Sequence, residues 1–324
     1  MLRLLLGFTL LTLVVTGAAA AVLPSRTAAN PSTISALDVA FRSVVYAVRE
    51  TPDRKRCAYV VLWDTASNGT WRLGESTTRA CTEGPSTGSG ISQVATTGRR
   101  AFWVTYVGGN FRDQTLWTAT PTRRTPRRLA DATSEVDSGE TPLVLGPGTR
   151  EGVAYATGKT LTYVADTGAR LFRVTLTSDV RDLAAGIGPG AARVVAALAD
   201  GTVVTLSRSG SVLRTVTYGA SSVTAVALAP RGAIVQAAQT VHVGSTTVTL
   251  PVGAAMLGFR QGQIVYTKGG QVRALGMATG DDVLLVKVPV RRWERPLFST
   301  DAWGSAWANG TSVTWRGGPL GQSS

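Results

Sequence analysis

Side chains able to do covalent chemistry are sparse in this sequence. The one histidine among 324 residues, His242, alternates with Val241 and Val243, a strand setting in which an imidazole fills a surface or a core rather than acting as a general base. The chain has no G-x-S-x-G elbow, no H-E-x-x-H pair and no phosphate-cradling loop ahead of a helix. Serine-hydrolase and zinc-hydrolase readings therefore lapse, and no cofactor or metal is expected. Glycoside chemistry asks for less: two carboxylates facing each other at about 5 to 10 Å. The candidates are Glu75, Glu83, Asp131, Glu135, Asp137 and Glu140. The last four would alternatively gather calcium, but their spacing follows no calcium loop, and solvated loop charge is the plainer reading, as it is for Asp281 and Asp282. A carbohydrate-active hydrolase or lyase stands as the alternative to a chain without chemistry of its own.

Charge is the stronger signal. Lys and Arg total 33 against 20 Asp and Glu, a net charge of +13 with a pI near 10.6, and such a surface favours anionic partners: wall polymers, acidic polysaccharide, lipid headgroups or nucleic acid. Two clusters concentrate the charge. Arg123, Arg124, Arg127 and Arg128 surround a Thr-Pro pair in a span that reads as a hairpin loop. Arg291, Arg292 and Arg295 surround Trp293, a mixture that stacks on sugars or bases. The bland reading is a solvated basic surface, favoured by the excess of arginine over lysine throughout the chain.

The N-terminus narrows the partner list. Arg3, the apolar run over residues 4–15 and the small residues 17–21 form a signal peptide over 1–21, cut near Ala20. The alternative is an uncleaved anchor, because apolar character continues to Leu23 and about 20 residues just span a bilayer. Membrane contact is expected only through that segment. Export places the chain in the extracellular space or cell envelope, away from chromosomal DNA, so nucleic acid drops out and a protein or anionic cell-surface polymer remains. An oxidising compartment also makes a disulfide expected between Cys57 and Cys81. The two flank the Asn68-Gly69 turn almost symmetrically, so strands folded about that turn bring them close, closing a loop of about 25 residues worth about 3 kcal/mol.

The elements that must position these residues recur. Short apolar segments at 43–46, 101–103, 152–155, 193–196, 233–236, 263–266 and 304–307 read as equivalent second strands. Segments at 60–63, 115–117, 161–163, 203–205, 241–243, 272–275 and 312–315 follow them as third strands, with Trp63, Trp117, Tyr163 and Trp315 in one register. The spacing is about 42 residues, that of a propeller blade. Glycine pairs such as Asn68-Gly69, Asp200-Gly201 and Asn309-Gly310 supply the positive φ that tight hairpins need. The expectation is an all-β chain forming one propeller of seven four-stranded blades over 36–318, after a flexible leader at 22–35 and before a tail at 319–324. A pair of β-sandwiches is the competing architecture. The glycine-rich stretch after Trp315 makes a poor fourth strand, so closing the last blade would fall to the leader. Long loops are read at 50–56, 75–90, 107–114 and 130–142, where binding determinants usually reside.

Tyr59-Val-Val-Leu-Trp-Asp64 followed by Asn68-Gly-Thr-Trp-Arg-Leu73, together with Leu228-Ala-Pro-Arg-Gly232, resembles the repeat signature of TolB-type propellers, with a looser likeness to WD repeats. Arg231 stands where that family's turn carries Asp, and most repeats lack the proline. The resemblance implies an exported protein-interaction platform, in some members the substrate-gating half of a peptidase, of which only the platform part carries over and no functional residue; a monomer is expected.

Overall fold

The computed structural model describes residues 25–50, 57–75, 89–108, 111–135, 142–186, 192–219, 222–230, 232–289, 296–301 and 303–318. They form twenty-eight strands in seven four-stranded antiparallel sheets. Blade one is β2 (Ile34–Ala40), β3 (Ser43–Val48), β4 (Tyr59–Asp64) and β5 (Gly69–Glu75). Blade two is β6 (Ser89–Thr96), β7 (Ala101–Gly108), β8 (Phe111–Ala119) and β9 (Arg127–Glu135). Blade three is β10 (Leu143–Leu145), β11 (Gly152–Thr157), β12 (Thr160–Ala165) and β13 (Arg170–Thr175). Blade four is β14 (Val180–Ala185), β15 (Ala192–Leu198), β16 (Thr202–Ser207) and β17 (Val212–Thr217). Blade five is β18 (Val223–Ala229), β19 (Gly232–Ala237), β20 (Thr240–Val243) and β21 (Thr246–Thr249). Blade six is β22 (Ala255–Arg260), β23 (Gln263–Lys268), β24 (Gln271–Gly276) and β25 (Asp282–Lys287). Blade seven is β26 (Phe298–Thr300), β27 (Gly304–Asn309), β28 (Ser312–Gly317) and, as its outermost strand, β1 (Ser25–Ala29). The chain is a seven-bladed propeller.

Every second and third strand named from the sequence lies inside β3, β7, β11, β15, β19, β23, β27 or their third-strand partners. Several of these strands are covered on both faces, β3 along its whole length, so Val, Ala and aromatic residues occupy successive positions there, while β24 and β28 alternate. The span read as a flexible leader contains β1, which pairs with β28 from Ser25 opposite Arg316 to Ala29 opposite Ser312. The reason is edge satisfaction: without β1 the backbone groups along one side of β28 would stay open. Parts of two expected long loops are strand instead: 107–108 and 111–114 belong to β7 and β8, and 130–135 to β9.

The inner strands touch their neighbours all round the circle, including β26 against β2, which closes the ring. The apolar core is accordingly divided into seven layers, one between each pair of adjacent blades. Trp63 and Trp315 fill the layer between blades seven and one, and Trp103 fills the next. Ala28 of β1 packs against the first of these layers, tying the strand to the core as well as to the ladder.

Each junction also carries a polar pin. Ser299 Oγ of blade seven donates to Asp38 Oδ1 of blade one at 3.0 Å. The Thr96 amide of blade two donates to Asp38 Oδ2 at 3.0 Å. Gln93 accepts from the Leu145 amide (2.8 Å) and donates to the Leu143 carbonyl (2.9 Å) in blade three. Arg193 of blade four pairs with Glu151 of blade three at 2.5 Å. The Val226 amide of blade five donates to Asp182 of blade four at 2.8 Å, and the Met256 amide of blade six donates to Gln236 of blade five at 2.6 Å. Arg260 Nη1 of blade six reaches Thr300 Oγ1 of blade seven at 2.9 Å. Buried polar groups cost stability unless paired, and paired ones fix a unique arrangement. Here they set the rotation of each blade against the next.

Candidate binding rim

An antiparallel four-stranded meander sends its first-to-second and third-to-fourth turns to one end, here the hairpin rim. Second-to-third turns and blade-to-blade connections leave at the opposite end, the linker rim. Among the described residues, several arginines sit at turns of the hairpin rim. Arg42 in blade one, Arg99 and Arg100 in blade two and Arg150 in blade three lie on first hairpins, while Arg123, Arg124 and Arg208 lie on third-to-fourth turns. All seven therefore belong to the hairpin rim.

Three carboxylates on this rim are engaged within turns or blade contacts, while Asp166 and Asp281 lie on its third-to-fourth turns as well. Asp64 accepts from Ser67 Oγ and the Ala66 amide in its own turn. Glu151 pairs with Arg193 and, at 3.3 Å, with Arg208. Asp301 accepts from the amides of Phe41 (2.6 Å), Trp303 (2.8 Å) and Gly304 (3.0 Å), and burial raises its pKa above the usual carboxylate range. Arg42, Arg99, Arg123 and Arg150 are exposed and have no carboxylate partner among the described residues.

The four arginines of the first predicted cluster fare differently from one another. Arg128 is held by Asp131 at 2.5 Å. Arg127 Nη2 donates to the Gly168 carbonyl of the next blade at 2.7 Å. Arg100 comes to the same turn, donating to the carbonyls of Asp166 (2.7 Å) and Thr167 (3.0 Å). Burial and then the neighbouring Arg127 charge lower the Arg100 pKa. A Cβ on Gly168 would stand 3.0 Å from Arg100 Cζ and 3.1 Å from Arg127 Nη2, and its φ of 86° favours glycine. Arg123 and Arg124 are left to solvent, Arg124 touching only the Pro121 carbonyl of its own turn.

The second cluster, Arg291, Arg292, Trp293 and Arg295, lies outside the described residues. Among the carboxylates considered for glycoside chemistry, Asp131 sits midway along the outermost strand β9, opposite Thr115 and bonded to its hydroxyl, and does not line a loop rim. Glu83, Asp137 and Glu140 fall outside the described residues. No group of metal-ligating side chains occurs among the described residues. His242 leans on Tyr218 with ring centroids 4.9 Å apart. Cys57 is buried at the start of β4. Cys81 lies outside the described residues.

One feature of the rim had no signal in the sequence. Phe41 and Arg42 form the two-residue turn between β2 and β3 with φ of 47° and 61°, values that side chains rarely adopt. Phe41 meets Trp303 edge-on with centroids 5.4 Å apart. The Arg42 guanidinium lies 5.1 Å from the Trp303 ring and that of Arg150 4.3 Å from the Phe41 ring.

No family model matches the chain, and no curated protein matches it in sequence. Solved structures do resemble it. The structure of Raptor from Chaetomium thermophilum superposes with a TM-score of 0.51 at 11% identity, covering 92% of this chain and 29% of that one. The chain thus spans less than a third of that protein, and the likeness is one of fold.

Proposed function

We propose that the chain is an exported, non-enzymatic propeller that serves as a binding platform at the cell surface, capturing a protein or anionic polymer through its hairpin rim. The observation carrying this reading is the presence on that rim of four exposed arginines, Arg42, Arg99, Arg123 and Arg150, that meet no carboxylate among the described residues. A propeller offers turns on a rigid ring, where binding residues are set by loop chemistry. The TolB-like motif around Trp63 and Asn68, and the signal-like residues 1–21, agree with an envelope role. A disulfide between Cys57 and Cys81 would be the staple expected there.

Binding of the full chain to fluorescent polyglutamate at low and high salt tests the reading. Arginine-driven capture weakens as salt shortens the screening length. The double substitution Arg123→Glu/Arg124→Glu is expected to weaken it about tenfold, as removal of two surface cation contacts and addition of two repulsive charges should. Affinity indifferent to salt and to the double substitution would reject the hairpin rim as the working surface.

A further inference from the structure

Blades one and six use the same two-residue turn between their first and second strands. In blade six it is Gln261-Gly262, with φ of 49° and 79°, and glycine takes the second place as this turn type prefers. In blade one that place is Arg42, at φ 61°, a conformation costly for a side chain. Backbone geometry alone would be better served by glycine, so something about the arginine side chain justifies the strain.

The surroundings identify it. Asp301 of blade seven accepts from the Phe41 amide and from those of Trp303 and Gly304, so one buried carboxylate fixes both the strained turn and the tryptophan loop beside it. Gly98 of blade two lies under Phe41, where a Cβ would come within 3.3 Å of the Phe41 Cβ. Arg150 arrives from blade three to cover the Phe41 ring. The outcome is a row, Arg150, Phe41, Trp303 and Arg42, on the inner turns of the hairpin rim, with Trp303 44% exposed.

A guanidinium stacked on a ring keeps its in-plane N–H donors for an oxyanion and is held in orientation before any ligand comes. Two such groups flanking an exposed indole combine charge and apolar contact in the way of interface anchors, which favour tryptophan and arginine. We infer that Arg42, Trp303, Phe41 and Arg150 form a preorganised site for an acidic segment of a polypeptide partner, its carboxylates taken by the two arginines and its intervening apolar atoms by Trp303. A lipid surface would call on cations spread over the rim, and the spread ones, Arg99, Arg123 and Arg124, have no aromatic beside them among the described ring contacts. This inference rests on the anionic-partner reading and names the partner's chemistry.

Fluorescence anisotropy of the full chain with a labelled hexaglutamate peptide tests it, with inorganic polyphosphate and phosphatidylglycerol vesicles as parallel probes. Arg42→Gly is expected to weaken peptide binding about tenfold, the effect of losing one charge-assisted contact, while leaving the melting temperature unchanged or higher because the turn is relieved. Trp303→Ala is expected to weaken peptide binding as well, and Arg99→Ala to leave it within about twofold. Peptide binding that ignores Arg42→Gly but responds to Arg123→Glu/Arg124→Glu would overturn the site and keep the basic-rim reading. Dependence on Arg42 for polyphosphate or vesicles without peptide binding would overturn the peptide assignment, and no binding to any polyanion would remove both.

Discussion

Asp38 offers the sharpest quantitative expectation. Its side chain is 3% exposed and joins four blades, accepting from Ser299 Oγ of blade seven and from the amides of Thr96 in blade two (3.0 Å) and Gly148 in blade three (2.9 Å). Burial outweighs these donors and pushes its pKa up to about 6 from 3.8. In the unfolded chain the carboxyl ionises near its ordinary value. Between these two values the folded state holds the proton more tightly, so stability from this group is complete below about pH 4 and is lost as pH rises through about 6. The shift corresponds to about 3 kcal/mol. Urea unfolding of the wild type and of Asp38→Asn from pH 4 to 7.5 measures it. The asparagine cannot ionise, so the difference between the two profiles cancels other groups, Asp301 among them. Wild type is expected to lose about 3 kcal/mol relative to the variant across the window. The asparagine can keep its carbonyl oxygen for the Thr96 and Gly148 amides, which both meet Oδ2 in the wild type, and turn its NH2 to Ser299 Oγ. A flat difference profile, or one rising with pH, would refute the claim that desolvation governs this carboxylate.

Three further outcomes follow from the packing. Gly148→Ala would put a Cβ 1.7 Å from the Thr96 carbonyl oxygen, forcing blades two and three apart, and is expected to cost about 3 kcal/mol in a denaturant melt. Ala28→Asp places a carboxylate in the layer that β1 shares with Trp315. It should cost about 2 kcal/mol and, in hydrogen exchange, strip protection from β28 before other third strands. If Cys57 and Cys81 are bridged, the unreduced chain will take up no alkylating reagent, and a Cys57→Ser/Cys81→Ser double variant will lose about 3 kcal/mol.

How much of this was legible beforehand depended on burial. The second and third strands stand between two others and under two apolar layers, so their Val-rich runs declare themselves. Outer strands do not. β17 is exposed at nearly every position, and its sequence, Val-Leu-Arg-Thr-Val-Thr, reads as well for a loop edge. Polar Asp113 and Gln114 hid the length of the β7–β8 hairpin, although their backbone pairs continuously with Val107 and Tyr106. β1 becomes a strand only because the ring brings β28 to it across the whole chain. The junction pins share that character: Asp38 meets Ser299 and Gln236 meets Met256 through geometry that no local pattern encodes. The arginine excess was plain, but which arginines reach the hairpin rim followed only from strand order. The Phe41-Arg42 turn was missed because it lacks the Asn or Gly that announces positive φ. Its nearest sequence hint was the run of polar and apolar residues that stops at Ala40.

The account stands or falls on the hairpin rim as the surface that meets a partner. Hydrogen–deuterium exchange of the full chain with and without saturating polyglutamate maps that surface directly. Slowed exchange is expected in the turns at 41–42, 97–100, 120–126 and 146–151, reversed by high salt. Slowing confined to the opposite turns, at 158–159, 199–201 and 268–270, or no slowing at a concentration that saturates binding, would contradict it.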